Sequence, residues 1–312
     1  MSRARFLLTR LVTLPVMGVA ISFLTFAMVH LAPGDVASLM AGPRANNAQI
    51  EALRVELGLR DPLLVQYGHY LARFVTGDWG TTVSGAPVTA VIARNAPPTV
   101  LLVAATLLLT LVSTLVLSVL ASRRPGGVAD HVVRVLSTTL LGMPGFWIGI
   151  MLLLFVALPT GWFPVGGYPR DLPGQLRAIV LPSIALAVTV TPVLIRGLRA
   201  SLIAVGQADY VTVGRTLGLR GAGLMRRYVL RNAVIPTVPL VATMLGTLIG
   251  STAVVEATFG LPGLGQALVN GAIQREASLV QAITLIVGLT VICTQILADL
   301  LLTALDPRVL IR

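Results

Sequence analysis

The sequence predicts an all-α polytopic membrane protein with six transmembrane helices and a small helical external insertion between the first two. Three observations predict it. Of 312 residues, 55% are hydrophobic and only 11% charged, whereas a soluble globule carries roughly 45–50% apolar and about 25% charged residues. The mean hydropathy is +0.89. Six apolar stretches each approach the ~20 residues that a helix needs to cross ~30 Å of hydrocarbon, and most of the ionisable residues lie between them. The same composition excludes a disordered chain and a disulfide scaffold, since Cys293 is the single cysteine.

Residues 1–10 are read as a cytoplasmic N-terminus holding Arg3, Arg5 and Arg10, and residues 11–31 as the first span. The apolar run from Leu11 to Val29 is longer than a signal-peptide core, and no small-residue cleavage site precedes Pro33, so the segment is an anchor that stays. Residues 32–98 are external. Within them Asn46 or Asn47 caps a helix with Ile50, Leu53 and Leu57 on one face, ended by Gly58. A second helix places Leu63, Tyr67, Tyr70, Leu71 and Phe74 on one stripe and closes at Gly77-Asp78-Trp79-Gly80. These stripes either pack on the outer ends of the spans or form a docking surface or external gate. Further spans follow at 99–121, 135–158, 178–195, 233–255 and 280–304. Cytoplasmic segments 122–134, 196–232 and 305–312 alternate with external loops 159–177 and 256–279.

All 23 basic residues are arginine. With the N-terminus inside, the cytoplasmic side holds 15 arginines against four aspartates, Asp299 near the inner end of the last span included, and the external segments eight arginines against eight carboxylates. The whole net charge of +11 therefore falls on one face. Membrane topogenesis produces this bias, and anionic lipid attracts it. The basic balance is thus explained without a nucleic-acid partner.

Three local patterns stand out. In the long cytoplasmic loop, Tyr210, Val213, Gly214, Leu217 and Gly218 share one face of a short helix, with Asp209 at its positively polarised N-terminus. Each glycine in a helix costs about 1 kcal/mol against alanine. Close approach of another protein's surface is one reason for such a cost; the alternative is a surface helix lying on lipid. After the fifth span, a Pro-Gly-x-Gly turn within Glu256–Gly265 breaks the helix sharply. It makes Glu256, Phe259, Pro262, Gly263 and Gly265 candidate external-loop or gate residues, either capping a pore mouth or closing a tight loop. The Gly-x-x-x-Gly pairs Gly145/Gly149 and Gly246/Gly250 are candidate helix-packing faces. Prolines 15, 144, 182, 192, 236 and 239 bend spans by freeing carbonyls.

Some chemistry is missing from the pattern. The span centres carry no ionisable residue, where an ion-coupled carrier keeps one near the midplane. No two carboxylates are placed as the acid and base of an intramembrane enzyme, so no catalytic residue is expected. His30, His69 and His131 are scattered, and no metal site is expected. A phosphate-binding loop needs Gly-Lys followed by Ser or Thr, and the chain has no lysine. Nucleotide hydrolysis, if coupled to this chain, belongs to another polypeptide.

Several segments together carry a resemblance. They are Val29-His30-Leu31-Ala32-Pro33-Gly34-Asp35, Glu56-Leu57-Gly58-Leu59 with Asp61-Pro62-Leu63, Gln66-Tyr67, and Gly77-Asp78-Trp79-Gly80. Downstream are Ala208-Asp209-Tyr210-Val211 leading to Gly218-Leu219, and Leu230-Arg231-Asn232-Ala233 with Pro236. The C-terminal part adds Glu256, Phe259, Pro262-Gly263-Leu264-Gly265, Asp299 and Asp306-Pro307-Arg308. Over nearly its whole length the chain resembles the integral-membrane permease subunits of ATP-binding-cassette importers for dipeptides and oligopeptides. The resemblance implies a type I importer permease fold that pairs with a second homologous permease. Two cytoplasmic ATPase domains, which carry ATP and Mg, and an extracytoplasmic solute-binding protein complete the complex, while this chain binds no cofactor. It also implies that Asp209, Tyr210, Val213, Gly214, Leu217, Gly218 and Leu219 couple to an ATPase groove. Permeases for nickel or glutathione share the pattern and stay open as alternatives. A self-sufficient carrier or channel is the alternative of another class.

Overall fold

Inside a bilayer no water satisfies a free amide, so an apolar segment must close its own backbone hydrogen bonds. The computed structural model, which describes residues 3–31, 46–56, 58, 60–219 and 221–305, is accordingly helical, joined by turns and one isolated bridge between Thr81 and Pro87. The Pro33-Gly34-Asp35 and Asp306-Pro307-Arg308 segments and the side chains of His30, Leu53 and Leu57 lie outside the described residues.

The helices are α1 (Arg3–Leu31), α2 (Asn47–Glu56), α3 (Leu63–Thr76), α4 (Val88–Ser122), α5 (Val128–Leu141) and α6 (Gly145–Thr160). They continue as α7 (Leu172–Gly206), α8 (Asp209–Thr216), α9 (Met225–Phe259), α10 (Leu264–Ile273) and α11 (Ala277–Leu305). By length and apolarity α4, α7, α9 and α11 can each cross a bilayer, and α5 with α6 form an apolar pair bent by 103°, either a broken span or a re-entrant loop. The 29 residues of α1 reach about 43 Å at 1.5 Å per residue, with a shorter apolar stretch at Pro15–Ala27.

The expected third span at 135–158 is therefore not one rod. It breaks at Gly142-Met143-Pro144, where the proline ring holds the preceding backbone out of the helical region. Other helices outrun their expected spans. The span expected to start at residue 99 begins earlier: α4 starts at Val88 and holds Pro97 and Pro98 inside it. The Asn95 side chain donates to the Val91 carbonyl there at 2.7 Å. The expected cytoplasmic loop at 196–232 is mostly helix: α7 runs on to Gly206, α8 follows after two residues, and the turn Gly221–Leu224 leads into α9. The first part of α9 is a π-helical turn at Met225–Leu230, and Pro236 tightens Ile235–Thr237 into a 3₁₀ turn.

The centre of the bundle is α7, packed by α4, α5, α6 and α9, while α11 packs on the other side of α9 and carries α1 and α10. Buried Leu186 and Val190 of α7 meet Leu102 of α4, Ile148 of α6 and Leu248 and Phe259 of α9 in the main core. The face of α4 toward α7 is small and hydroxylated, with Thr106, Thr110, Thr114 and Ser118 buried at every fourth residue. Ser118 donates to the Ile195 carbonyl of α7 at 3.3 Å. Such small groups let two helices approach without a bulky layer between them.

The external insertion settles against the first span. Asn46 Oδ1 accepts from the Gln49 amide at 2.8 Å and Gln49 Oε1 accepts from the Asn46 amide at 3.0 Å, a reciprocal cap that starts α2. In α3 the Tyr67 ring meets Phe23 edge-on at 5.4 Å and Phe26 at 5.5 Å, and its hydroxyl shares a 2.7 Å hydrogen bond with Ser22. Of the two readings left open for this stripe, packing on the spans is the one observed. Leu63 departs from it: expected on the stripe, it is exposed.

Candidate functional site

The short helix α8 is built against the end of α7. Ala208 is extended, Asp209 opens the helix without a side-chain cap, and Val211 is buried among Leu198, Leu202, Leu224, Val229 and Ala233. Gly214 shares that inner face; a Cβ there would sit 3.3 Å from Leu224 Cδ1 and 3.7 Å from Leu219 Cδ1. Arg215 donates to the Gly206 carbonyl at 3.1 Å, tying α8 back to α7. The adjoining face presents Tyr210, Val213 and Leu217, which are 45%, 55% and 77% exposed.

The expected five-residue face therefore divides. Tyr210, Val213 and Leu217 point outward, and Gly214 points into the chain's own core, so its missing side chain serves internal packing. Gly218 lies past the helix end with φ +85°. Its amide bonds the Arg215 carbonyl at 3.0 Å, and the Leu219 amide bonds the Gly214 carbonyl at 3.1 Å. A left-handed residue of this kind ends a helix and favours glycine. The assumed helical cost of Gly218 does not arise. Leu219 is partly exposed beside it.

At the far end of α9, the Pro-Gly-x-Gly segment is a locked corner. Gly260 turns with φ +60°, and α10 folds back onto α9, α4 and α11. Glu256, wholly buried, accepts from the Thr99 hydroxyl at 2.6 Å and from the Gln266 amide at 3.0 Å, while Thr99 accepts from the Leu264 amide at 2.7 Å. The carboxylate thus faces the unsatisfied amides and positive end of α10, where a negative group is stabilised. A side chain at Gly263 would overlap the Glu256 carboxylate, and one at Gly265 would overlap the Ala253 backbone. Phe259 is buried and Pro262 is exposed on the turn.

The packing glycines also divide. A Cβ at Gly145 would meet Thr189 of α7 at 2.9 Å, and one at Gly149 would meet the Phe259 ring at 2.8 Å. Gly246 faces Val291 of α11, but among the described residues nothing lies within 4 Å of a Cβ placed at Gly250. Gly250 therefore packs on none of the described residues.

The sequence compares directly with known proteins. Residues 114–311 match the model of the binding-protein-dependent transport system inner membrane component, and residues 3–117 match that of its N-terminal region. The chain belongs to that family. This inner membrane component is 32% identical over 306 residues to the oligopeptide transport system permease protein AppB of Bacillus subtilis, covering 96% of each chain. It is 35% identical over 287 residues, 92% of each chain, to the glutathione transport system permease protein GsiC of Pectobacterium atrosepticum. Its fold is similar to that of a chain in a structure of inward-facing conformations of the MetNI methionine ABC transporter, with a TM-score of 0.55 and 19% identity over 69% of this chain and 96% of that one. It is an ABC importer permease with a type I fold, a multi-pass membrane protein rather than an ATPase.

Two features of the permease escaped the sequence reading. Asp130 on α5, only 1% exposed, accepts Arg199 Nε at 2.5 Å and NH2 at 2.7 Å in a bidentate pair, and also accepts the Gly126 amide at 2.8 Å. This pins α5 to α7. The 69-residue separation left no local spacing to reveal it. The other is Thr99, read as the first residue of a span, which joins three helices at the Glu256 corner.

Proposed function

We propose that the chain is one of two related permease subunits of an ATP-driven importer of dipeptides or oligopeptides, forming half of the translocation pathway. Its exposed Tyr210, Val213 and Leu217 strip seats α8 in a groove of a cytoplasmic ATPase. That strip carries the reading: three apolar side chains uncovered on one face of a helix whose other face is anchored in the core. An exposed apolar patch held rigidly at a polar loop marks a contact surface. Asp209 and Leu219 flank it.

In this reading the termini and α8 are cytoplasmic, consistent with the +11 charge asymmetry. ATP and Mg sit on the partner ATPases, and closure of those domains moves the two permeases as rigid bodies between inward- and outward-facing states. The Glu256 corner belongs to the external side, where an extracytoplasmic binding protein delivers cargo. A glutathione cargo is the second reading, favoured by the 35% identity to GsiC; glutathione is itself a short peptide.

The test is Val213→Asp with Leu217→Asp in the assembled transporter. Both positions are exposed, so folding is retained, and binding-protein-stimulated ATP hydrolysis and uptake are expected to fall at least about tenfold, a loss of ~1.4 kcal/mol or more in coupling. Unchanged uptake in a variant that carries both aspartates would overturn the assignment of α8.

A further inference from the structure

A cleft of about 910 Å³ opens between α4, α7, α8 and α9. Its walls are apolar, with Val116 and Leu120 of α4 among residues facing Ile203 of α7 and Val229 of α9. Its rim is basic: Arg123 at the end of α4, Arg215 on α8 and Arg226 on α9 all line it, and among the described residues no acidic side chain does. Arg123 and Arg226 are exposed. Arg215 spends one N–H on the Gly206 carbonyl.

The wall does not stop at the cleft. Val116, Val112 and Leu108 form a strip at every fourth residue of α4, and each is more than half exposed. From Arg123 to Leu108 the helix rises about 22 Å, longer than the ~15 Å of hydrocarbon in one leaflet. An occupant therefore needs an anionic head for the rim and a long apolar tail for the strip. Nucleic acid has no such tail, and a free anion leaves the walls uncovered.

We propose that this cleft holds one anionic phospholipid, its phosphate against Arg123, Arg215 and Arg226 and an acyl chain laid along α4. Each arginine near a membrane surface strengthens binding of anionic lipid about fivefold. Because the cleft is bounded by both α8 and the π-helical start of α9, the lipid fills the joint between the coupling helix and the span that follows it. The proposal does not depend on the cargo or on the ATPase contact.

Full-length chain in neutral detergent, analysed by native mass spectrometry with dioleoylphosphatidylglycerol or dioleoylphosphatidylcholine, decides it. The expected result is retention of phosphatidylglycerol about tenfold or more above phosphatidylcholine. Arg123→Gln with Arg226→Gln lowers that retention about tenfold or more. Val116→Trp, which fills the groove and leaves the arginines, lowers it too, whereas Arg124→Gln, outside the lining, does not. Millimolar inorganic phosphate leaves the lipid in place. Equal retention of the two lipids by the parent chain, or full phosphatidylglycerol retention by Val116→Trp and by the double variant, would overturn the proposal. So would release of the lipid by millimolar dipeptide, which would make the cleft part of the cargo route.

Discussion

Asp130 and Glu256, the buried carboxylates among the described residues, are held in opposite ways. Asp130 meets a full charge in Arg199, whereas Glu256 meets a hydroxyl and backbone amides at the start of α10. Removing one member of a buried pair leaves the other charge uncompensated, at about 3–5 kcal/mol. Asp130→Asn is expected to lower the unfolding temperature of the purified chain sharply, and adding Arg199→Met to restore part of the loss; a variant as stable as the parent would remove this pair from the account. Glycines give a second residue-scale prediction. Gly265→Ala drives a methyl into the Ala253 backbone and is expected to abolish stable expression. Gly250→Ala enters open space inside α9 and is expected to be neutral or to stabilise by about 0.5–1 kcal/mol through helix propensity, read by thermal unfolding. The sequence offers Gly246 and Gly250 as equals, because a spacing rule says which residues share a face and not what lies opposite.

At the scale of elements, the short helix after Asp209 was legible from its apolar spacing and its terminal glycine. The division of its faces was not, because Gly214 and Gly218 look alike in sequence while one packs on Leu224 and the other ends the helix in the left-handed region. The contrast between Val211 and Val213 follows. Val211→Asp buries a charge in the Leu198–Val229 cluster and is expected to destabilise the chain by several kcal/mol, while Val213→Asp leaves its melting transition in place and acts only in the assembled transporter. Helix ends were the weakest part of the reading. Apolar length marks where hydrocarbon begins, and α4, α7 and α9 continue past it as helices whose polar turns carry no such mark. Pro144 stands at the junction of two helices and Pro97-Pro98 lie inside one, so a proline in the sequence marks a lost backbone hydrogen bond and not by itself where a helix ends.

For the whole molecule, composition alone identified a bundle of membrane-crossing helices, and the motifs carried the family. Long-range pairing, such as α7 at the centre and α11 bridging α1 to α9, came only with the structure. Sidedness rests on arginine placement. With Cys293, the exposed lone cysteine, replaced by serine, cysteines at Val83 and Thr216 are expected to react with an impermeant maleimide from opposite sides of the membrane; labelling from the same side would invert the proposed topology. The central claim is that this chain conducts solute only when partners supply the work. Uptake of a radiolabelled oligopeptide into proteoliposomes tests it most directly, comparing the chain alone with the assembled permeases, ATPases and binding protein. Concentrative, ATP-dependent uptake by the assembly and none by the chain alone is the predicted result; accumulation by the chain alone, without nucleotide, would contradict it.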